Sequence, residues 1–252
     1  MDGGMLGQVR PPQSIFVAQA QKAIGIGFKL PFNDGRIYVY SKANGDNDLV
    51  MGQLQQAPIV DASHDDCNLV IPIEGKTLDK ELQVTLPIGH PTIAANAFEG
   101  GWLLIDSGAA EGLVRRIKSH NAFTTATAAI VTFKFRDALD ETVAVTNTVK
   151  IIANPYNLVK VNVNVTAGAS NTGRVLGVAP IDVTKLYYFW LLVKGIGPAL
   201  NKKTEEIAPG DCLGADAEGV RVLAAVGDAI VGHAASYCAN ADESLLVDYC
   251  IG

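Results

Sequence analysis

The sequence has few cysteines, few aromatic residues and no long apolar run. Its 252 residues include four cysteines, 7% aromatic residues and 18% charged residues. The longest strongly apolar run, Tyr187–Val193, has seven residues, against the roughly 20 that a membrane-spanning helix needs. Met1–Arg10 has no basic stretch followed by an apolar core. The sequence therefore predicts a chain made without a signal peptide and with no membrane partner.

Cysteine lies at positions 67, 212, 238 and 250, and these spacings match no zinc or redox motif. A chain made without an export signal is expected to keep its thiols reduced. A disulfide between Cys238 and Cys250 would require the two residues to face each other in a hairpin. The roles of Cys67, Cys212, Cys238 and Cys250 stay open.

Charge is low and uneven along the chain. The formal net charge is −6, which makes nucleic acid an unsuitable partner because phosphate binding needs positive potential. Residues 1–179 carry 15 basic and 16 acidic side chains, whereas residues 180–252 carry 5 and 10. The acidic excess predicts that the C-terminal region differs in character from the rest and faces water.

Alternation of apolar and polar residues with a period of two is the main pattern in the sequence. In Leu158–Thr166, four valines alternate with polar residues, which is typical of a strand with one buried and one solvated face. Turn-forming residues separate these segments, so the sequence predicts an all-β fold of the sandwich or barrel type. Eleven further segments show a similar pattern: Arg36–Tyr40, Leu69–Ile73, Leu82–Ile88, Trp102–Ile105, Leu113–Lys118, Ile130–Phe135, Thr142–Ile152, Leu186–Lys194, Val220–Leu223, Ala229–Ala234 and Leu245–Ile251.

Composition predicts three parts along the chain. An extended N-terminal arm covers residues 1–23, because Met1–Pro12 contains three glycines and a Pro-Pro pair. A β-rich main domain covers residues 24–179 and a small acidic β-domain covers residues 180–252. Helical turns at Ser14–Lys22 and Asp137–Thr142 have weak support, since Ile15-Phe16-Val17 argues equally for a strand.

Motifs that would carry chemistry are incomplete. Gly75-Lys76-Thr77 has the end of a phosphate-binding loop but lacks its first glycine, which predicts a turn between strands instead. Gly25-Ile26-Gly27 has no third glycine and no βαβ pattern around it. His64-Asp65-Asp66 is the densest group of metal-ligand types, and a solvated turn is the favoured interpretation. We therefore expect no cofactor, no metal and no catalytic residues.

The aromatic run Tyr187–Trp190 is the most unusual local feature of the sequence. As a strand it places Tyr188 and Trp190 on one face and Tyr187 and Phe189 on the other, so both faces are bulky. Two interpretations stay open: a central core strand, or a strand at an interface with another protein.

Six segments follow one another in a recognisable order: Asp34–Tyr40, Gly52–Gln56, Asn154-Pro155-Tyr156, Tyr188–Ala199, Ile207–Leu213 and Val231–Ala234. In this order they resemble structural virion proteins of tailed bacteriophages. The last two, with a Pro-Gly-Asp turn before a strand and a Val-Gly-x-Ala strand near the end, look like the small β-domain of capsid decoration (cement) proteins. The resemblance covers more than half of the chain and depends on the order of the segments.

This resemblance implies a non-enzymatic structural protein on the outside of a phage head. Such a protein is made in the host bacterial cytoplasm, binds the major capsid protein as a homotrimer and bridges neighbouring capsomers in the virion. We expect the arm to lie on the capsid. The candidate interface residues are Arg10, Pro11, Pro12, Phe16, Tyr188 and Trp190.

Two other functions are compatible with the sequence. A phage tail or fibre component would contact the host surface and would be present in a few copies per virion, whereas a decoration protein would be present in hundreds. A β-sandwich lectin or hydrolase would bind or cleave glycans, and exposed aromatic platforms for that purpose cannot be told from buried aromatic residues in a sequence.

Overall fold

The computed structural model describes residues 13–58, 69–88, 90, 92–124, 129–161, 173–201, 205–216, 219–222, 230–241 and 243–251. Within these ranges the chain forms sixteen strands and no helix, and the all-β prediction is confirmed. The strands are β1 Lys29–Pro31, β2 Ile37–Lys42, β3 Leu54–Gln56, β4 Leu69–Val70, β5 Glu81–Leu86, β6 Trp102–Ile105, β7 Val114–His120, β8 Ala129–Phe135, β9 Thr148–Ile152, β10 Lys160–Val161, β11 Val175–Val178, β12 Tyr188–Leu200, β13 Cys212–Asp216, β14 Gly219–Val222, β15 Ile230–Ala234 and β16 Ser244–Cys250.

The chain divides into two units, and the division differs from the predicted one. Unit 1 comprises residues 1–57 and 158–252, and unit 2 comprises residues 58–157. The predicted boundary near residue 180 fails because β11 before it pairs with β12 after it, through Val178 and Leu192. An insertion of this kind leaves no mark in composition, since the two halves of unit 1 meet only through long-range strand pairing.

Unit 2 contains a closed six-stranded antiparallel barrel. The strand order is β4-β5-β8-β7-β6-β9, and β9 returns to β4. β5 shows how the sequence builds it, because Leu82, Val84 and Leu86 point into the barrel while the residues between them face outward. The barrel core is completed by residues from every strand, including Leu69, Leu103, Ile105, Ile117, Val131, Phe133, Phe135, Val149 and Ile151.

Unit 1 contains a ten-stranded sheet that curls around its own core. The main order is β10-β3-β11-β12-β16-β15-β13-β14, and β2 pairs with both β1 and β12. The thirteen-residue strand β12 joins two parts of this sheet, since Tyr188–Leu192 pairs with β2 and Lys194–Leu200 pairs with β16. Asn201, directly after β12, bridges to Val220 in β14, so the far end of the sheet curls back to β12.

A four-residue turn precedes several strands in both units. In each turn the amide of the fourth residue donates a hydrogen bond to the carbonyl of the first, and the third residue has a positive φ, as in a type II turn. The Pro-Gly-Asp segment is one of these turns, and β13 follows it as expected. The turns are Val50–Gln53, Lys76–Asp79, Thr184–Tyr187 and Ala208–Asp211.

Several element predictions need correction. Ser14–Lys22 and Asp137–Thr142 are not helical, and Thr142–Ile152 is a strand only over β9, because a bridge at Val143 and a turn precede it. The predicted strand Leu158–Thr166 is described only to residue 161, where β10 ends.

Gly177 in β11 offers a test of the close packing against β12. A Cβ at this position would overlap the carbonyl group of Leu192, so Gly177→Ala should lower the free energy of unfolding by about 3 kcal/mol. Gly210→Ala is the control, because its Cβ would meet open space and only the positive φ is strained, at a cost of about 1 kcal/mol. Denaturant unfolding measures both values. Equal losses would contradict the packing described here.

Candidate interaction surface

The described part of the N-terminal segment is held to unit 1 by a buried glutamine. Gln13 is 1% exposed. Its side-chain amide donates to the carbonyls of Val17 at 2.6 Å and Tyr188 at 2.9 Å, and its Oε1 accepts the Tyr40 hydroxyl at 2.8 Å. Three hydrogen bonds therefore satisfy both ends of the buried amide, which would otherwise be costly to desolvate.

Trp190 continues this anchor into the core of unit 1. Its indole Nε1 donates to the Gln13 carbonyl at 2.9 Å, and the ring is completely buried. Tyr40 and Phe28 pack against it edge to face, with ring centroids 5.1 and 6.4 Å away. Trp190 is thus a core residue, and its place among the candidate interface residues is corrected: the core-strand interpretation describes it.

Tyr188 lies at the margin of the same cluster. Its ring is partly buried and stacks on Tyr40, with ring centroids 6.0 Å apart. The Nζ atom of Lys42, at the end of β2, lies 5.4 Å from the centroid of the Tyr188 ring. Tyr188 and Gln19 also exchange backbone hydrogen bonds of 2.8 and 3.0 Å. Tyr188 therefore presents part of its ring to solvent beside the anchored N-terminal segment.

Phe16 is the most exposed aromatic side chain of this segment. It is 67% exposed, although its neighbour Ile15 is buried in the core of unit 1. Val17 and Phe28 are also more than two-fifths exposed. We call Phe16, Val17, Tyr188 and Phe28 the aromatic edge. An exposed apolar group on a fixed support is a feature of protein contact sites.

The sequence predicts an N-terminal arm over residues 1–23, but the described part of it does not extend freely from unit 1. Residues 13–23 pack on unit 1 through Gln13, the Gln19 bridge and a hydrogen bond from the Ala23 amide to the Tyr40 hydroxyl. These hydrogen bonds and the burial of Ile15 hold the segment, and a composition argument overlooked them. Arg10, Pro11 and Pro12 lie outside the described residues.

A small depression also lies on unit 1. It has a volume of about 110 Å³ and is lined by Asn44, Asp46, Asn47, Lys160 and Val161. Ligand pockets have volumes of roughly 300–1,000 Å³, so this depression has room for a few water molecules and not for a substrate of ordinary size. Asn44 also uses its amide to bind the Asp46 carboxylate at 2.7 Å.

The described histidines are separate from one another and have structural surroundings. His120 in unit 2 is buried, its Nε2 accepts the Phe98 amide at 3.0 Å, and its Nδ1 lies 2.8 Å from the Asn121 carbonyl. Since a backbone amide can only donate, Nε2 is the acceptor and Nδ1 carries the proton. Burial lowers the pKa of His120, and the Asn121 carbonyl partly opposes this.

His90 packs edge to face on Phe123, and His233 is exposed on β15 of unit 1. Across the described ranges, no group of three or more histidine, cysteine or acidic side chains has a geometry that could hold a metal ion. The His64-Asp65-Asp66 cluster lies outside those ranges. Gly75, from the incomplete phosphate-binding motif, instead forms a bridge with Val143.

The described cysteines, Cys212, Cys238 and Cys250, form no disulfide. Cys238 is fully buried, and its sulfur lies 3.6 Å from the Asn201 amide and 3.5 Å from the Glu243 carboxylate. That carboxylate also accepts the amides of Ala239 and Asn240. These backbone bonds, and then the Cys238 thiol, lower the pKa of Glu243.

No helix in the described part of the chain has the length and apolar character needed to cross a membrane. Comparisons with family models, with curated proteins and with solved structures give no match for this chain. The interpretation of the aromatic edge therefore depends on its own geometry and on the sequence resemblance.

Gln13 is an anchoring position that the sequence did not identify. A single glutamine after two prolines has no periodicity that indicates burial, and its partners lie 27 and 175 residues away. Only the packing of β12 against β2 brings Tyr40, Tyr188 and Trp190 to it.

Replacing Gln13 tests this anchor. Gln13→Ala removes three hydrogen bonds and leaves the buried Tyr40 hydroxyl without its acceptor, so the free energy of unfolding should fall by about 2 kcal/mol. Amide hydrogen exchange in residues 14–19 should accelerate at the same time. Gln19→Ala is the control, since the Gln19–Tyr188 bridge is formed by backbone atoms, and it should change neither quantity appreciably.

The His120 environment predicts a pH dependence for unit 2. The folded state takes up its proton at a lower pH than the unfolded state, whose histidine titrates near 6.5. The stability of unit 2 should therefore fall as the pH drops below about 6.5. NMR titration of His120 should give a pKa below that value, and His120→Gln should reduce the loss on acidification, whereas His233→Gln should not. A His120 pKa at or above 6.5 would contradict this environment.

Proposed function

We propose that this chain is a non-enzymatic structural virion protein that binds the outer surface of a tailed-phage head. It decorates the capsid as a homotrimer, contacts the major capsid protein and stabilises the shell by bridging capsomers. The observation that carries the proposal is the aromatic edge, where the exposed Phe16 lies on a backbone segment that the buried Gln13, three residues earlier, holds to unit 1.

An aromatic side chain on a fixed backbone segment is suited to binding a large rigid partner. Aromatic residues lose little side-chain entropy on binding and bury a large apolar area. Gln13, Trp190 and Tyr40 hold the backbone beside Phe16 before any partner arrives, so less ordering has to be supplied on binding. This support is what distinguishes Phe16 from an apolar residue on an unattached tail.

The position of the anchor also gives Arg10, Pro11 and Pro12 a place in the proposal. They immediately precede Gln13 in the sequence. The single basic residue among them would favour an acidic site on the shell. We therefore keep these residues, together with Phe16 and Tyr188, as the proposed capsid contact.

The charge distribution supports a revised orientation. Residues 58–157 carry 8 basic and 12 acidic side chains, whereas the rest of the chain carries 12 and 14. Unit 2 thus has a net charge of −4 and unit 1 a net charge of −2, because basic residues elsewhere in unit 1 offset most of the acidic excess of residues 180–252. Unit 1, which carries the aromatic edge and the smaller negative charge, faces the shell in this proposal.

Binding to purified expanded heads tests the proposal. Phe16→Ser should weaken binding about 30-fold, the effect of losing roughly 2 kcal/mol at an aromatic contact, and deletion of residues 1–12 should weaken it further. Ile196→Ser is the control, because Ile196 is also exposed on unit 1, at 52%, and lies on β12 away from the N-terminal segment in sequence.

If the folded Phe16→Ser variant binds the heads as tightly as the wild-type protein does, the proposed contact is contradicted. The number of copies per virion separates the alternatives. Hundreds of copies support decoration, whereas a few copies would overturn it in favour of a tail or fibre component, and glycan binding by the pure protein would favour a lectin.

A further inference from the structure

One face of the unit 1 sheet carries a thiol, an imidazole and a carboxylate in a row. Cys212 in β13 is paired with His233 in β15, and His233 is paired with Asp248 in β16. Directly opposed residues of antiparallel strands have Cβ atoms roughly 4.5–5.5 Å apart. The thiol and the carboxylate are therefore the two cross-strand neighbours of one imidazole.

Burial shows that the three side chains share the outer face of the sheet. Leu213 and Val247, the sequence neighbours of Cys212 and Asp248, are fully buried, and side chains alternate between the two faces of a strand. His233 and Asp248 are exposed and Cys212 is partly buried. The row is open to small molecules in solution.

The other described cysteines have different surroundings. Cys238 is fully buried beside Asn201 and Glu243, which excludes reagents from its sulfur. Cys250 is exposed in β16 and is paired with Lys194 in β12. Cys212 is thus the described cysteine that combines access to solvent with a directly opposed imidazole.

We propose that Cys212 is a modification site that undergoes thiol–disulfide exchange with disulfides of small thiols. His233 accepts the thiol proton, and Asp248, the other cross-strand neighbour of the imidazole, is a positioning residue for it. This inference goes beyond capsid binding and is independent of it, because it concerns different residues of unit 1 and a different class of ligand.

The exchange balances without any further reagent. The Cys212 thiol gives its proton to His233, and the thiolate sulfur attacks one sulfur of the small disulfide. A new sulfur–sulfur bond forms at Cys212 as the original one breaks. The departing sulfur leaves as a thiolate and takes the proton back from His233. Cys212 is oxidised and the released thiol is the reduced product.

Other charged groups near the row are few among the described residues. Arg221 in β14 is paired with Gly214, two residues from Cys212 in the same strand. Asp211 directly precedes Cys212, and its carboxylate accepts the Ala208 amide at 2.8 Å. Lys194 is opposed to Cys250 and not to Cys212.

The test incubates the intact, folded chain with oxidised glutathione and follows each cysteine by peptide mass spectrometry. Cys212 should form the mixed disulfide faster than Cys250, and Cys238 should stay unmodified. His233→Gln should slow mixed-disulfide formation at Cys212 by about tenfold. General bases in enclosed sites accelerate reactions by roughly 10²–10⁴-fold, and we expect a smaller effect here because this face is exposed to water. The rate at Cys250 should not change.

Two controls separate chemistry from altered folding. Asp248→Ala should slow the modification of Cys212, and the conservative variant Asp248→Glu should restore the rate, since the carboxylate positions the imidazole. Lys194→Gln should leave the Cys212 rate unchanged. An unaltered Cys212 rate in folded His233→Gln, or a Cys212 rate no higher than that of Cys238, would overturn the proposal.

Discussion

Strand β12 is the constraint on which unit 1 depends. Its first half pairs with β2 and its second half with β16, so the N-terminal and C-terminal parts of the chain fold onto one strand. Trp190 in the first half is fully buried and binds the Gln13 carbonyl. The N-terminal segment, the aromatic edge and the curled sheet therefore all take their positions from the same thirteen residues.

Buried polar groups fix the surface that we propose as functional. The amide of Gln13 has a partner at each end, and breaking these contacts would leave polar atoms without water in the core. This is why the backbone that carries the highly exposed Phe16 is held in one place. Proposed binding and fold stability are linked here, because the atoms that fix the contact segment also complete the core of unit 1.

Local patterns in the sequence predicted the elements better than their arrangement. Alternation located Trp102–Ile105 at its observed bounds, because a strand with one buried face leaves a period of two. It overlooked Leu54–Gln56, in which Gln55 and Gln56 are buried, since a strand buried on both faces with polar residues has no such period. Gln13 and the cross-strand neighbours of Cys212 depend on long-range pairing, which one sequence does not reveal.

The central claim is that the face carrying Phe16 contacts the capsid. The most direct measurement places a photoreactive phenylalanine analogue at position 16 and irradiates intact virions that contain the altered chain. Cross-linking to the major capsid protein, at many sites per particle, is the result that this account predicts. Cross-links confined to tail proteins, or a chain absent from the particle while folded and expressed, would contradict it.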